Sequence, residues 1–217
     1  MTITLYHFPA ACSRVTMNAL EEIGLSYDDV SVNMRALGQK APEYLVVNPK
    51  GKVPAIDFKG HIMTENAAIL WFLHSQYPAA SLLPAQDDPL QAYQGLSDLV
   101  WCSGTIHPIV RQIRMPAKWT SGDPEGVRAD GIDKMLQECI TLSERIAQGW
   151  WYGPSWSIID TYLYWAFSTA EKGGFPLDQF PVLVAHAERV RARPSFARVL
   201  AREQAALDAM GIADIVL

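Results

Sequence analysis

Four short stretches carry residues whose types and spacing suit chemistry. In Pro9-Ala10-Ala11-Cys12-Ser13-Arg14 a thiol and a hydroxyl stand at the entrance to an apolar helical pattern. A cysteine at a helix N-terminus lies near the positive end of the macrodipole, where unpaired N–H groups favour thiolate over thiol. The same place can hold another molecule's thiolate, with the Cys12 thiol or the Ser13 hydroxyl as hydrogen-bond donor. Equally, Cys12 suits a small buried residue and Ser13 a plain helix cap. In Lys50-Gly51-Lys52-Val53-Pro54-Ala55-Ile56 a proline heads a strand and gives up a ladder bond. A cis Val53-Pro54 bond would turn the N–H and C=O of Val53 outward, where they can pair with an extended peptide; an ordinary hairpin entry is the plainer alternative. Thr64-Glu65-Asn66-Ala67 again runs from strand to helix. There Asn66 and neighbouring N–H groups suit a carboxylate and Glu65 an ammonium group, although capping alone also accounts for Thr64 and Asn66. Finally, Ser157-Ile158-Ile159-Asp160 has the spacing of a capping box, which sets where a buried helix begins.

The elements that must position these residues follow from periodicity. Thr2 to Phe8 is rich in β-branched and aromatic residues and stops at Pro9. Cys12 to Ile23 reads as a helix with Gly24 as its stop, Tyr27 to Val32 as a second strand, and Pro42 to Val47 as a short helix before an Asn48-Pro49-Lys50-Gly51 turn. Val53 to Phe58 and His61 to Thr64 form a hairpin about Lys59-Gly60, and Glu65 to Tyr77 is a helix. This β-α-β unit followed by a hairpin and a helix has the thioredoxin arrangement. A linker rich in Pro, Ala, Ser and Asp spans 79–88, and no strand pattern follows it. Leu96 to Ile113 marks a long helix in which Pro108 predicts a kink. Ile132 to Ile146, Ser157 to Glu171, Val182 to Ala192 and Ser195 to Met210 mark four more. The expected fold is an α/β thioredoxin-like N-terminal domain over 1–78 and an all-α C-terminal helical domain over 89–217.

Composition narrows the function classes. Of 217 residues 49 % are hydrophobic and 19 % charged, which excludes a disordered chain. A net charge of −5 with no Lys/Arg cluster argues against nucleic acid as a partner. Three cysteines without a CxxC pair fit no disulfide framework or metal-ligand spacing and point to a reducing, cytoplasmic compartment. The longest apolar run, Ala67 to Leu73, is far short of the roughly 20 residues that span a bilayer, so no membrane association is expected.

Taken together, PAACSRV, NPKGKVPAI, TENAAILWFL and the S-x-x-D capping box resemble the cytosolic glutathione S-transferases along essentially the whole chain. The Ala-Cys-Ser segment most resembles the bacterial beta class, in which a cysteine lies at the glutathione sulfur and a histidine faces it from the first long helix; His107 stands at the matching position. Pro108 and Asn66 depart from the residues usual there. The resemblance implies glutathione as co-substrate, with Cys12, or else Ser13, at its thiol and His107 nearby. It implies that Val53 pairs with the cysteinyl backbone beside a cis Pro54, that Glu65 and Asn66 bind the γ-glutamyl end, and that Arg35 and Lys52 supply further polar contacts. Tyr6 reads as a core residue. Trp101, Arg111, Met115 and Trp119, on or just beyond the first long helix, are expected to wall a site for a small hydrophobic electrophile. A homodimer is expected from the family. The expected reaction is attack of glutathione thiolate on that electrophile. The alternatives are a lyase or thiol-disulfide exchange through a Cys12 mixed disulfide, and a binding module without catalysis.

Overall fold

The computed structural model describes residues 3–85, 87–147 and 149–217. The expected strand start at Thr2 and the Gln86 position of the expected linker lie outside the described residues. The chain divides into two compact units, Met1–Leu82 together with Arg193–Leu217, and Leu83–Ala192.

The first unit is built on a four-stranded sheet of order β2-β1-β3-β4. Strand β1 (Ile3–His7) buries alternate residues, Ile3, Leu5 and His7, as the period of a pleated strand requires. It runs parallel to β2 (Asp28–Ser31) and antiparallel to β3 (Ala55–Phe58), which pairs antiparallel with β4 (His61–Thr64). Lys59 (φ 58°) and Gly60 (φ 84°) form the two-residue hairpin turn, whose twist demands left-handed backbone at both positions. Between the strands lie helix α1 (Ser13–Ile23) and the short helix α2 (Pro42–Val47); α3 (Asn66–Gln76) follows β4. This is the thioredoxin-like arrangement that the N-terminal pattern predicts.

The C-terminal stretch from Arg193 onward, which periodicity alone groups with the helical domain, packs in the first unit. Its helix α9 (Pro194–Met210) lies against α1, with ion pairs beside the buried Phe196, Val199 and Leu207. Arg198 and Arg202 donate to Glu21 at 2.6 and 2.9 Å, and Arg202 also reaches Asp29 at 2.6 Å. Arg193 chelates Glu22 at 2.8 and 2.9 Å. At the centre Arg14, 2 % exposed, meets Glu203, 0 % exposed. Beyond α9, Ile212 and Ile215 pack against a cluster of Phe8, Val32, Tyr44 and Val53.

The second unit is helical: α4 (Pro89–Trp101), α5 (His107–Arg114), α6 (Pro124–Ile146), α7 (Ile158–Glu171) and α8 (Pro181–Arg191). The long helix expected to run past Pro108 is interrupted by a π-helical turn over Cys102–Ile106, where the His107 N–H donates to the Cys102 carbonyl. Pro108 offers no N–H, so the ladder before it cannot close in the α pattern, and a widened turn takes up the mismatch. Helices α5 and α6 approach closely at Gly131, where a Cβ would lie 2.9 Å from that of Gln112. Helix α7 is buried at every position from Ile158 to Phe167, and its start is set by the capping box that the sequence predicts. Asp160 accepts from the Ser157 N–H at 2.8 Å and from the Trp151 N–H at 2.8 Å, and pairs with the buried His186 at 2.9 Å.

Candidate functional site

The first unit brings three of the four stretches together around Cys12. Cys12 is the N-cap of α1 and is partly exposed. Its Sγ lies 3.5 Å from the carbonyl oxygen of Val53, the residue before the cis Val53-Pro54 bond. The Val53 N–H makes no hydrogen bond with the described residues, so this segment before β3 offers a donor beside the thiol. Asn66, in the first turn of α3, donates from Nδ2 to the Cys12 carbonyl at 3.0 Å and accepts from the Thr16 hydroxyl at 2.5 Å. Its side chain therefore ties the N-terminus of α3 to that of α1, and what it presents to a carboxylate is its backbone N–H.

Ser13 differs from Cys12 in kind. It is fully buried, its hydroxyl donates to the Phe8 carbonyl at 3.1 Å, and it accepts from the Phe8 N–H at 3.2 Å. It closes the β1–α1 turn and leaves Cys12 as the exposed one of the pair. The other two cysteines are buried; burial pushes the Cys102 thiol well above its ordinary range and the Cys139 thiol up to about 12.

Glu65 adopts φ 70° and ψ 115°, a conformation that costs a non-glycine residue about 1–3 kcal/mol. Its carboxylate reaches outward and accepts from Lys50 Nζ at 2.7 Å, while Lys50 also donates to the Thr64 hydroxyl at 3.1 Å. Lys50 was not singled out from the sequence, since nothing local shows that the Asn48–Gly51 turn returns it to Glu65. The Lys52 carbonyl accepts from the Tyr44 hydroxyl and from Asn48 Nδ2, both at 2.7 Å, which fixes the approach to Val53; its ammonium is exposed. Arg35 forms an exposed ion pair with Asp214 of the C-terminal tail, and its guanidinium holds that carboxyl below the usual range. Tyr6 packs beside the Phe8, Val32, Tyr44 and Val53 cluster.

One residue missed in the sequence holds the Cys12 turn from the far end of the chain. Glu203 accepts from the Ala10 N–H at 3.1 Å and from Arg14 Nε at 2.9 Å, with Arg14 Nη2 on the same carboxylate oxygen. Ala10 has φ 60°, a left-handed conformation costing about 1–2 kcal/mol outside glycine. The signal that existed was a charged Arg14 on the apolar α1 pattern, which needs a buried partner.

In the second unit, His107 lies against the Trp165 ring at a centroid distance of 4.5 Å, with Nδ1 3.4 Å from the Tyr162 hydroxyl. Arg111, one turn on along the same face of α5, is a half-buried residue whose side chain makes no hydrogen bond or ion pair with the described residues. Trp101 stacks on Trp151 at 5.3 Å, and Arg145 covers the Trp151 ring at 3.7 Å. Trp119 lines an open hollow of about 500 Å³ with Pro108, Ile109 and Gln137, whereas Met115 borders a separate one of about 320 Å³ with Arg114 and Lys118. The four residues expected to wall one electrophile site thus stand in four different surroundings.

A thioredoxin-like sheet that presents a cysteine at a helix N-terminus beside a cis proline, in a chain that also carries an all-helical unit, defines the class. Comparison with known proteins agrees. Residues 1–75 match the family model of the glutathione S-transferase N-terminal domain. The chain is 31 % identical over 205 residues to a maleylacetoacetate isomerase of Pseudomonas aeruginosa, covering 90 % of this chain and 93 % of that protein. Among solved structures, a glutathione transferase homologue from Sulfitobacter with bound glutathione superposes with a TM-score of 0.83 at 28 % identity, covering 93 % of this chain and 98 % of that one. A beta-class glutathione S-transferase of Sphingomonas chungbukensis gives a TM-score of 0.80 at 28 % identity, covering 92 % and 98 %. The chain belongs to the cytosolic glutathione S-transferase superfamily.

Proposed function

We propose that this protein is a glutathione transferase that takes glutathione as co-substrate in the first unit and delivers its thiolate to a small hydrophobic electrophile. The observation that carries this reading is the convergence of the Cys12 thiol, the open Val53 edge and the α3 N-terminus in one place. Each group meets one part of a γ-glutamyl tripeptide. The Cys12 thiol and the α1 N-terminus receive the sulfur, Val53 pairs with the cysteinyl backbone, and the first N–H groups of α3 take the γ-glutamyl carboxylate. Glu65 takes the α-ammonium, the kind of contact Lys50 now makes at 2.7 Å. Arg35 and Lys52 are the cations for the glycine carboxylate. A free thiol with a pKa of about 8.5 is only slightly ionised at neutral pH, so the donor and the helix end supply the shift. Measuring glutathione binding by calorimetry, and its ionisation by thiolate absorbance against pH, tests the reading. A bound thiol that ionises at the same pH as the free one would sink it.

Cys12 separates transfer from the covalent alternative. If a mixed disulfide is an intermediate, glutathione disulfide leaves one adduct on Cys12 and Cys12→Ala abolishes turnover. If Cys12 only donates to the sulfur, the variant retains glutathione binding and loses part of kcat.

A second reading is favoured by Arg111. A half-buried arginine on the His107 face, without an ion-pair partner among the described residues, suits an electrophile bearing a carboxylate. The isomerase relative carries such an acid in its name. Addition of the thiolate to an activated cis double bond, rotation about the new single bond and expulsion of the same thiolate would return glutathione unchanged. Arg111→Met raises KM for carboxylated electrophiles and leaves neutral ones unaffected under this reading; equal effects on both favour the first.

The homodimer is part of the proposal. Leu90 (79 % exposed), Tyr93 (68 %) and Val100 (55 %) line one face of α4, an apolar stripe suited to a second copy of the chain. Sedimentation equilibrium decides, and a monomer at micromolar concentration would refute it. A cytoplasmic setting is proposed on the three free cysteines. No helix among the described residues is long and apolar enough to cross a membrane.

A further inference from the structure

We propose that Asp214, on the stretch beyond the last helix, is a specificity-determining residue of the glutathione site: it competes with the glycine carboxylate of the ligand for the Arg35 guanidinium. The inference rests on the reading above that Arg35 receives that carboxylate, and it names what the carboxylate must displace.

Local structure on each side brings the pair together. Arg35 stands between β2 and α2, where the Asn33 side chain accepts from the Arg35 and Ala36 N–H groups, both at 3.1 Å. The Gly38 N–H closes the same loop onto the Asn33 carbonyl at 2.8 Å. Asp214 follows the stop of α9, where Gly211 has φ 65° and the Ile212 N–H returns to the Leu207 carbonyl at 3.0 Å. From Ile212 to Leu217 no residue is in helix or strand. Met34 from the loop, and Ile212 and Ile215 from the stretch, pack against one cluster that contains Val53. The Val53 carbonyl in turn lies 3.5 Å from the Cys12 Sγ. Sequence neighbours of both charged residues thus rest on the cluster that supplies the Val53 segment.

Arg35 donates from Nη1 to the Asp214 carboxylate and holds that carboxyl below its usual range, so Asp214 is an anion at neutral pH. One guanidinium carries one positive charge. A glycine carboxylate brought to it either displaces Asp214 or shares the cation with a second anion a few ångströms away. Both weaken binding, and neither arises for a ligand whose glycine end is an ester. Linkage then requires the converse: a bound carboxylate loosens the Asp214 stretch by the factor by which Asp214 weakens the carboxylate. The two side chains are 48 % and 70 % exposed, and an exposed pair is a weak competitor. That sets the scale at about two- to fivefold in affinity.

Calorimetry with glutathione and with its glycine monoethyl ester tests the competition on the native protein, Asp214→Asn, Asp214→Glu, and Arg35→Met with and without Asp214→Asn. Asp214→Asn is expected to bind glutathione about two- to fivefold more tightly and to bind the ester as the native protein does. Its glutathione affinity falls more steeply with added salt, because a new ion pair forms without an old one being given up. Asp214→Glu restores the native affinity, and in the Arg35→Met background Asp214→Asn changes nothing. Amide exchange over 213–217 in the native protein quickens by a similar factor on saturation with glutathione, and stays as it was with the ester. A glutathione affinity that is unchanged or weaker in Asp214→Asn, or a gain shared equally by the ester, overturns the proposal. If Arg35→Met binds glutathione as tightly as the native protein, the carboxylate lies elsewhere, and the proposal falls while the glutathione site stands. A native protein that binds neither ligand would sink the glutathione site itself and the competition with it.

Discussion

In the first unit the groups suited to chemistry are placed mainly by backbone, whereas in the second they are placed by other side chains. Cys12 stands where it does because α1 starts there, Val53 because Pro54 follows it, and Glu65 because β4 turns into α3 with φ at 70°. His107, by contrast, is oriented by Trp165 and Tyr162, and Trp101 by Trp151. Backbone placement is insensitive to the volumes of neighbouring side chains, so one site geometry persists through much sequence change. Side-chain placement alters whenever a neighbouring ring is replaced, which suits a site that must change substrate.

The largest expected effect tests the exception on the first side of this contrast, the buried pair that backs the Cys12 turn. Glu203→Ala leaves Arg14 charged and unpaired and should cost about 3–5 kcal/mol in urea denaturation. In the same assay Asp214→Asn, which removes only an exposed pair, should show no measurable change. Equal losses would mean that the C-terminal stretch is held by its surface and not by its buried charge.

Next in size is the corresponding anchor of the second unit. Asp160→Ala removes the acceptor for the Ser157 and Trp151 N–H groups and strands His186, at a cost of about 2–4 kcal/mol in the unfolding free energy. A loss below about 1 kcal/mol would show that α7 is positioned by packing alone.

A smaller effect is expected at the ring pair. Tyr162→Phe keeps the packing against His107 and removes the hydroxyl 3.4 Å from Nδ1. Turnover should fall by less than about tenfold, the range of one hydrogen bond, with glutathione KM unchanged. A rise in that KM would show that the two units do not divide the labour as supposed.

The smallest effect is an acid dependence confined to the first unit. His7, by hydrogen bond and charge, holds the Asp29 carboxyl below its ordinary 3.8. Burial opposes ionisation of Glu21, but Arg198, Tyr27 and Arg202 outweigh it and hold the carboxyl below 4.5. Depressed values mean that the stabilisation is complete above pH about 4.5 and fades as pH falls through the folded-state values. Amide exchange along α9 should therefore quicken below pH 4, while exchange at Asp29 and Glu21 variants loses that dependence. An unchanged profile in the variants would assign the acid response elsewhere.

Much of the first unit was legible in the sequence because its determinants are local. Gly24 ends α1 in the left-handed conformation that glycine adopts without strain, Lys59-Gly60 makes the hairpin, and Pro54 marks the cis bond. Pro108 was legible as a disturbance, but its outcome was not. A kink was expected and a π turn formed, because the ladder chose among ways to bypass one missing donor according to what packs on the helix. Of the pair Cys12 and Ser13, sequence left the choice open; the hydroxyl's two bonds to Phe8 show that Ser13 serves the turn.

The expected electrophile wall was the least legible part. Trp101, Arg111, Met115 and Trp119 follow one another along the chain, and proximity in sequence suggested one site. A helix turns about 100° per residue, so neighbours in sequence face different partners unless their spacing is three or four. His107 and Arg111 have that spacing within α5 and share a face; Met115 and Trp119 continue the spacing but lie beyond Arg114, where α5 ends, and do not keep that face.

By itself, then, the order of residues determined the thioredoxin-like topology, the place of Cys12 at a helix start, the Val53-Pro54 edge and the capping box of α7. Each depends on steric and hydrogen-bonding preferences acting over a few residues. Only the tertiary structure decided that α9 belongs with the first unit, that Glu203 reaches back to Ala10 and Arg14, that Lys50 meets Glu65, and that Tyr162 and Trp165 hold His107. Those contacts join residues that are between 15 and 193 positions apart or lie on separate helices. Their existence depends on how hydrophobic burial closes the chain, and no short motif records that closure.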